Sequence, residues 1–120
     1  MANIPIVSQL ENYLSLTNQR ATVIASNMAN VDTPGYRTVG FDFAAEMSRS
    51  VQQLSTGSGD GQATSIGPVD GLLERPDGNN VSMDREGLNM AEAQLQFRTG
   101  VELLRHEFTR VLDAIHEDQK

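Results

Sequence analysis

The apolar positions of this chain fall into two long helical patterns separated by a polar, glycine-rich middle. Near the start, Val7, Leu10, Leu14, Ala21, Ile24, Ala25 and Met28 recur at the spacing that lines one face of an α-helix. Glu11, Asn12, Asn18, Gln19 and Arg20 take the other face. Pro5 suits a first helical turn, where its missing N–H would have had no partner anyway. The pattern predicts a helix over residues 5–30. At the other end Met83, Met90, Phe97, Leu104 and Val111 stand seven apart, and Val101, Phe108 and Ile115 fill the alternate positions. Gly87 and Gln94 occupy that register nearer the start. A heptad sustained this long predicts a coiled-coil seam on a helix over residues 82–118. Ser82 is the expected N-cap, with Asp84 and Glu86 in the first turn, where the helix dipole favours acids. Leu88, Ala91 and Leu95 form a second stripe, giving the helix two apolar surfaces. Gly87 and Gly100 each cost about 1 kcal/mol of helix propensity relative to Ala.

Between these helices the run Asn30-Val-Asp-Thr-Pro-Gly-Tyr36 ends the first one. Pro34 disfavours helical dihedrals at Thr33, and Pro-Gly fits the central positions of a type II turn. Phe41, Phe43, Met47, Val51 and Leu54 predict an extended lead-in and a short helix from about Asp42, so residues 31–54 hold a turn and a helix. Residues 55–80 begin with Ser55-Thr-Gly-Ser-Gly-Asp-Gly61 and are broken again at Gly67-Pro68, Gly71 and Pro76-Asp-Gly78. They read as a flexible segment, with Val69, Leu72 and Leu73 able to support a short strand. The fold class expected is mainly α. The two terminal helices pair as an antiparallel hairpin or coiled coil, within one domain over residues 1–120, around a middle that is flexible or holds a short β element.

Composition narrows the function. Nine basic against 16 acidic side chains give a formal charge of -7, and no basic stripe is present, so phosphate backbones and anionic membranes are poor partners. The absence of cysteine excludes disulfides, thiolate metal sites and thiol nucleophiles. The first six residues lack the features of a cleaved secretory signal, and no apolar run approaches the roughly 20 residues that span a bilayer. His106 and His116 stand ten apart without an HExxH-like arrangement. Ser8, Ser15 and Ser26 lack a nucleophile-elbow context. The Gly57–Gly61 tract lacks the Lys-Ser/Thr ending of a phosphate loop, and Asp60, Asp70 and Asp77 are too scattered for a calcium loop. No catalytic, cofactor or metal residue is expected, and the chain is read as a non-enzyme.

One stretch is more specific. In Ile24-Ala-Ser-Asn-Met-Ala-Asn-Val-Asp-Thr-Pro-Gly-Tyr36, the residues Ser26, Asn27, Ala29, Asn30, Thr33, Pro34, Gly35 and Tyr36 match the SNxANxxTPGY core of the flagellar rod and hook proteins. The chain resembles that family. Asn27 and Asn30 share a helix face, and their amides can cap the helix or bond the turn that follows. Asp77-Gly-Asn-Asn-Val81 resembles the stretch preceding the C-terminal helix in one short proximal-rod branch. Ser82, where Asp is usual, and Gly87 depart from the pattern.

The resemblance implies a structural subunit exported by the flagellar type III apparatus without a cleaved signal. It would polymerise through its terminal helices into a hollow, torque-transmitting rod across the periplasm. Implied partners are other rod subunits including FlgC, the adaptor FliE, and the membrane-ring and export-gate proteins. Phe43-Ala-Ala-Glu-Met47 resembles a Phe-x-x-x-apolar gate-recognition segment, although Phe43 and Met47 are also simply four apart on a helix. Two alternatives stay open: the paralogous rod protein FlgC, and a soluble coiled-coil binding module or chaperone of the same apparatus.

Overall fold

A computed structural model describes residues 5–57 and 64–118. Its elements are α1 (Pro5–Ala29), β1 (Val39–Gly40), α2 (Phe43–Thr56), β2 (Gly67–Pro68) and α3 (Met83–Asp118). The two terminal helices run antiparallel, Asn27 facing Glu86 at one end and Leu14 facing Gly100 further along. The molecule is accordingly elongated, 70 × 29 × 17 Å. α1 is the central element: α3, α2 and β1 all pack on it, while α2 and α3 do not touch.

Local chemistry sets the boundaries. The Asn30 side-chain amide donates to the Ser26 carbonyl at 2.8 Å and caps the open end of α1. The turn that follows closes through Tyr36 N–H donating to the Thr33 carbonyl at 3.2 Å, with Gly35 at φ +74°. That is the left-handed position a type II turn assigns to glycine. Asp42 caps α2 by accepting from the Ala45 N–H at 3.1 Å. α2 runs two residues past the expected Leu54 because Gly57, at φ +70°, closes its C-terminus onto the Gln53 carbonyl. Ser82 Oγ accepts from the Arg85 N–H at 3.3 Å and starts α3.

The middle holds the short β element. β1 and β2 pair antiparallel, Val39 opposite Pro68 and Gly40 opposite Gly67. With only two strands, the proline needs no second ladder partner. Of residues 55–80, 58–63 lie outside the described residues. The described remainder is tied down by its backbone: Val69 N–H donates to the Thr38 carbonyl at 3.0 Å, and Arg75 N–H to the Asn79 carbonyl at 2.8 Å.

The most buried positions that α3 brings to α1 are small or polar. Ala93 is 1% exposed, and a Cβ built at Gly100 would lie 2.7 Å from Leu14 Cδ2 and 3.0 Å from Tyr13 Cδ1. Gly100 is therefore what lets the helices approach this closely. Arg20 reaches across to Gln96 at 2.7 Å and pairs with Glu92 at 3.4 Å. Tyr13 also reaches α2, meeting the Phe43 ring edge-on with centroids 5.6 Å apart, an arrangement ring quadrupoles favour. Burial pushes the Tyr13 phenol above its ordinary pKa, and the positive charge of Arg20 partly offsets this.

Candidate functional site: a polar knot and an exposed apolar ridge

At the closed end of the hairpin, the turn after α1 and the stretch before α3 interlock. The buried residues here are mostly polar: Asn27, Thr38, Asn79, Asn80 and Glu86, with Val81 and Ile24 beside them. Such burial is tolerable only when every polar atom is paired. Among the described residues no buried side-chain nitrogen or oxygen lacks a partner.

Asn27 is the hub. Its Nδ2 donates to the Val39 carbonyl at 2.8 Å and to Glu86 Oε2 at 3.2 Å. Its Oδ1 accepts from the Val39 N–H at 3.1 Å and from the Tyr36 hydroxyl at 3.0 Å. One amide thus binds both backbone groups of a β1 residue, as another strand would, and joins α1 to α3. The carboxylate of Glu86, 1% exposed, is neutralised by Arg85 at 2.6 Å.

Asn79 and Asn80 do the same for the second segment. Asn79 Nδ2 donates to the carbonyls of Asn30 and Thr33, each at 2.9 Å, while its Oδ1 accepts from the Val81 N–H at 2.8 Å. Asn80 Oδ1 accepts from the Thr38 N–H at 2.7 Å. Gly35 N–H donates to the Asp77 carbonyl at 2.9 Å. Gly78, at φ +87°, comes so near that a Cβ there would sit 3.3 Å from Gly35 Cα. Glycine serves both needs at once, the left-handed backbone and the close approach.

Of the eight turn-motif residues, Asn27, Asn30, Thr33, Gly35 and Tyr36 enter this knot through side chain or backbone. Ser26 contributes the carbonyl that Asn30 caps, and Ala29 and Pro34 are exposed. Sequence reasoning missed Glu86, which read as an ordinary first-turn acid; nothing local distinguishes it from Asp84. It also missed Thr38, and assigned no partner to Asn79 or Asn80, although the Asp-Gly-Asn-Asn run marked the place.

The heptad of α3 is only partly buried, and the most buried positions of the helix lie beside it. Met90, Val101, Leu104 and Val111 are half-buried, while Met83, Phe97, Phe108 and Ile115 are exposed at 44–53%. The α1-facing positions Glu86, Ala93 and Gly100 form a separate seven-residue series, rotated about one position along the helix. The outcome is an apolar ridge left largely uncovered along α3. Leu88 and Leu95, on the opposite side, are also exposed. Phe43 and Met47 line a shallow apolar groove on α2 with Val51. His106 and His116 are exposed and apart, and no group of three or more potential metal ligands occurs among the described residues. No helix among them is long and apolar enough to cross a membrane.

A family profile described as "Flagella basal body rod protein" matches residues 12–37, most of α1 and the turn of the knot. Flagellar basal body rod protein FlgB of Proteus mirabilis is 31% identical, the alignment covering 87% of this chain and 88% of that protein. The FlgB proteins of Salmonella typhimurium and Escherichia coli are 31% and 30% identical, each over 85% of this chain and 86% of their own length. The chain belongs to the FlgB family of flagellar basal-body rod proteins. It is a structural subunit of the rod, located at the flagellar basal body and assembled with other rod components. The relatives are structural proteins, which fits a chain that carries out no catalysis.

Proposed function

We propose that this FlgB-family subunit polymerises through the uncovered ridge of α3, contributing its paired terminal helices to the wall of a hollow rod that transmits torque across the periplasm. The observation that carries this reading is the exposure of Met83, Phe97, Phe108 and Ile115, 44–53%, along one helix. A large exposed apolar surface on a protein this small marks a place where another protein binds. Coiled-coil geometry supplies interlocking knobs along the full helix, which suits a load-bearing contact.

The finer assignments belong to the same proposal. The turn-motif residues act structurally, as the knot that holds the hairpin closed. The neighbours are FlgC, further rod subunits, the adaptor FliE and proteins of the membrane ring. Export proceeds through the flagellar type III apparatus, with Phe43 and Met47 on the open face of α2 offered to the export gate.

Mixing tests this. Purified chain should shift to larger species in sedimentation velocity when FlgC or FliE is added, with a rise in helical circular dichroism. A double variant, Phe97→Ser with Phe108→Ser, should abolish the shift while the variant alone keeps the wild-type spectrum. A monomer indifferent to both partners would overturn the reading in favour of a stand-alone binding module.

A further inference from the structure

Two features of α3 have no partner among the described residues, and they match each other. The first is its far end. The antiparallel register that sets Asn27 against Glu86 and Leu14 against Gly100 brings Pro5 opposite about residue 109. The last two turns of α3 therefore run past the described start of α1. They carry Leu112 and Ile115, 55% and 48% exposed, together with Asp113, Glu117 and Asp118, none of which has an ion-pair partner among the described residues. Phe108, 53% exposed, continues the same ridge.

The second feature is a groove of about 330 Å³ at mid-length between α1 and α3, lined by Thr17, Asn18, Ala21, Ala93, Phe97 and Arg98. Its floor is small and its wall aromatic, the shape that accepts side chains from a third helix. Arg98 stands at its rim. Of the arginines in the described residues it is the one with no hydrogen bond or ion pair; every other is engaged by a carboxylate or a carbonyl. The groove thus calls for an apolar helix with spare acids, and the far end of α3 is such a helix.

We propose that the Phe108–Asp118 end of α3 seats in the α1/α3 groove of a second copy of this chain, its acids meeting Arg98. Donor and acceptor are different surfaces, so the contact is heterologous and propagates from copy to copy rather than closing on a pair. This rests on reading the ridge as an assembly surface, and adds which copy, which end and which groove.

The lack of cysteine makes the test direct. Ala21→Cys marks the groove and Ile115→Cys the tail. Under mild oxidation at high protein concentration, a mixture of the two should yield a mixed disulfide dimer in clear excess over either variant alone. Replacing Ala21→Cys by Ser48→Cys on α2 should lose it. Arg98→Glu should weaken self-association roughly ten-fold, and pairing it with a copy carrying Asp113→Lys and Glu117→Lys should restore it. Equal or greater dimer from Ile115→Cys alone would overturn the proposal in favour of tail-to-tail contact. Cross-linking of the tail only to added FlgC would overturn the assignment to a second copy. If FlgC or FliE binds while the groove and tail variants never cross-link, this inference fails and the rod-assembly reading survives. If neither partner binds and the Phe97/Phe108 double variant behaves as wild type, both fall.

Discussion

The two ends of the hairpin are built on opposite principles. At the closed end, between residues 26–40 and 74–86, buried positions are mostly polar and each is satisfied within the chain. At the far end of α3, the large apolar side chains Phe108, Leu112 and Ile115 are 48–55% exposed. Hydrogen bonds are directional and costly to leave unmade, so the first arrangement specifies one geometry and needs no outside partner. Apolar contact is non-directional and roughly proportional to area, so the second stays unfinished until another surface covers it. A subunit that must keep its shape yet join others has reason to separate the two kinds of contact along its length.

The contrast can be broken most severely at Asn27. Asn27→Leu removes four hydrogen bonds and leaves the buried Glu86 carboxylate short of a donor. A loss of about 3–5 kcal/mol is expected in urea unfolding, set against little change for Ser26→Ala, which is exposed. Next is the helix contact. Gly100→Val would force a side chain into Leu14 and Tyr13, for an expected loss of about 1–3 kcal/mol. Gly87→Ala sharpens the same point with the opposite sign. Nothing lies within 4 Å of the added Cβ, so helix propensity alone should stabilise the chain by about 1 kcal/mol.

Smaller still is the effect of the ridge on the isolated chain. Phe108→Ser should change unfolding by about 0.5 kcal/mol or less, while removing association in sedimentation. The faintest signal is at high pH. With the Tyr13 pKa raised by burial, the unfolded chain ionises first. The stability this residue contributes is complete below the ordinary tyrosine pKa and is lost as pH rises through the raised value. Tyr13→Phe should flatten that part of the stability–pH curve.

Much of this was legible beforehand, because periodicity and capping are local. The two long helices, the N-cap at Ser82, the start of the short helix near Asp42, the Pro34-Gly35 turn and the eight-residue motif could all be read from neighbours a few positions apart. Glu86 could not. Its role exists only because the hairpin brings it against Asn27, 59 residues earlier in the chain. Nor could the side of α3 that meets α1. The strongest apolar heptad drew attention to Met90, Phe97 and Leu104. The most buried positions are instead Glu86, Ala93 and Gly100, and the small volume of Gly100 allows the backbone to approach Leu14 and Tyr13 closely. Apolar spacing says that a surface will be buried, but not by which chain. The sequence alone determined the helices, their ends and the family. The tertiary structure decided which polar atoms pair across the closed end and which apolar face stays open, since both depend on groups distant in sequence competing for the same side of a helix.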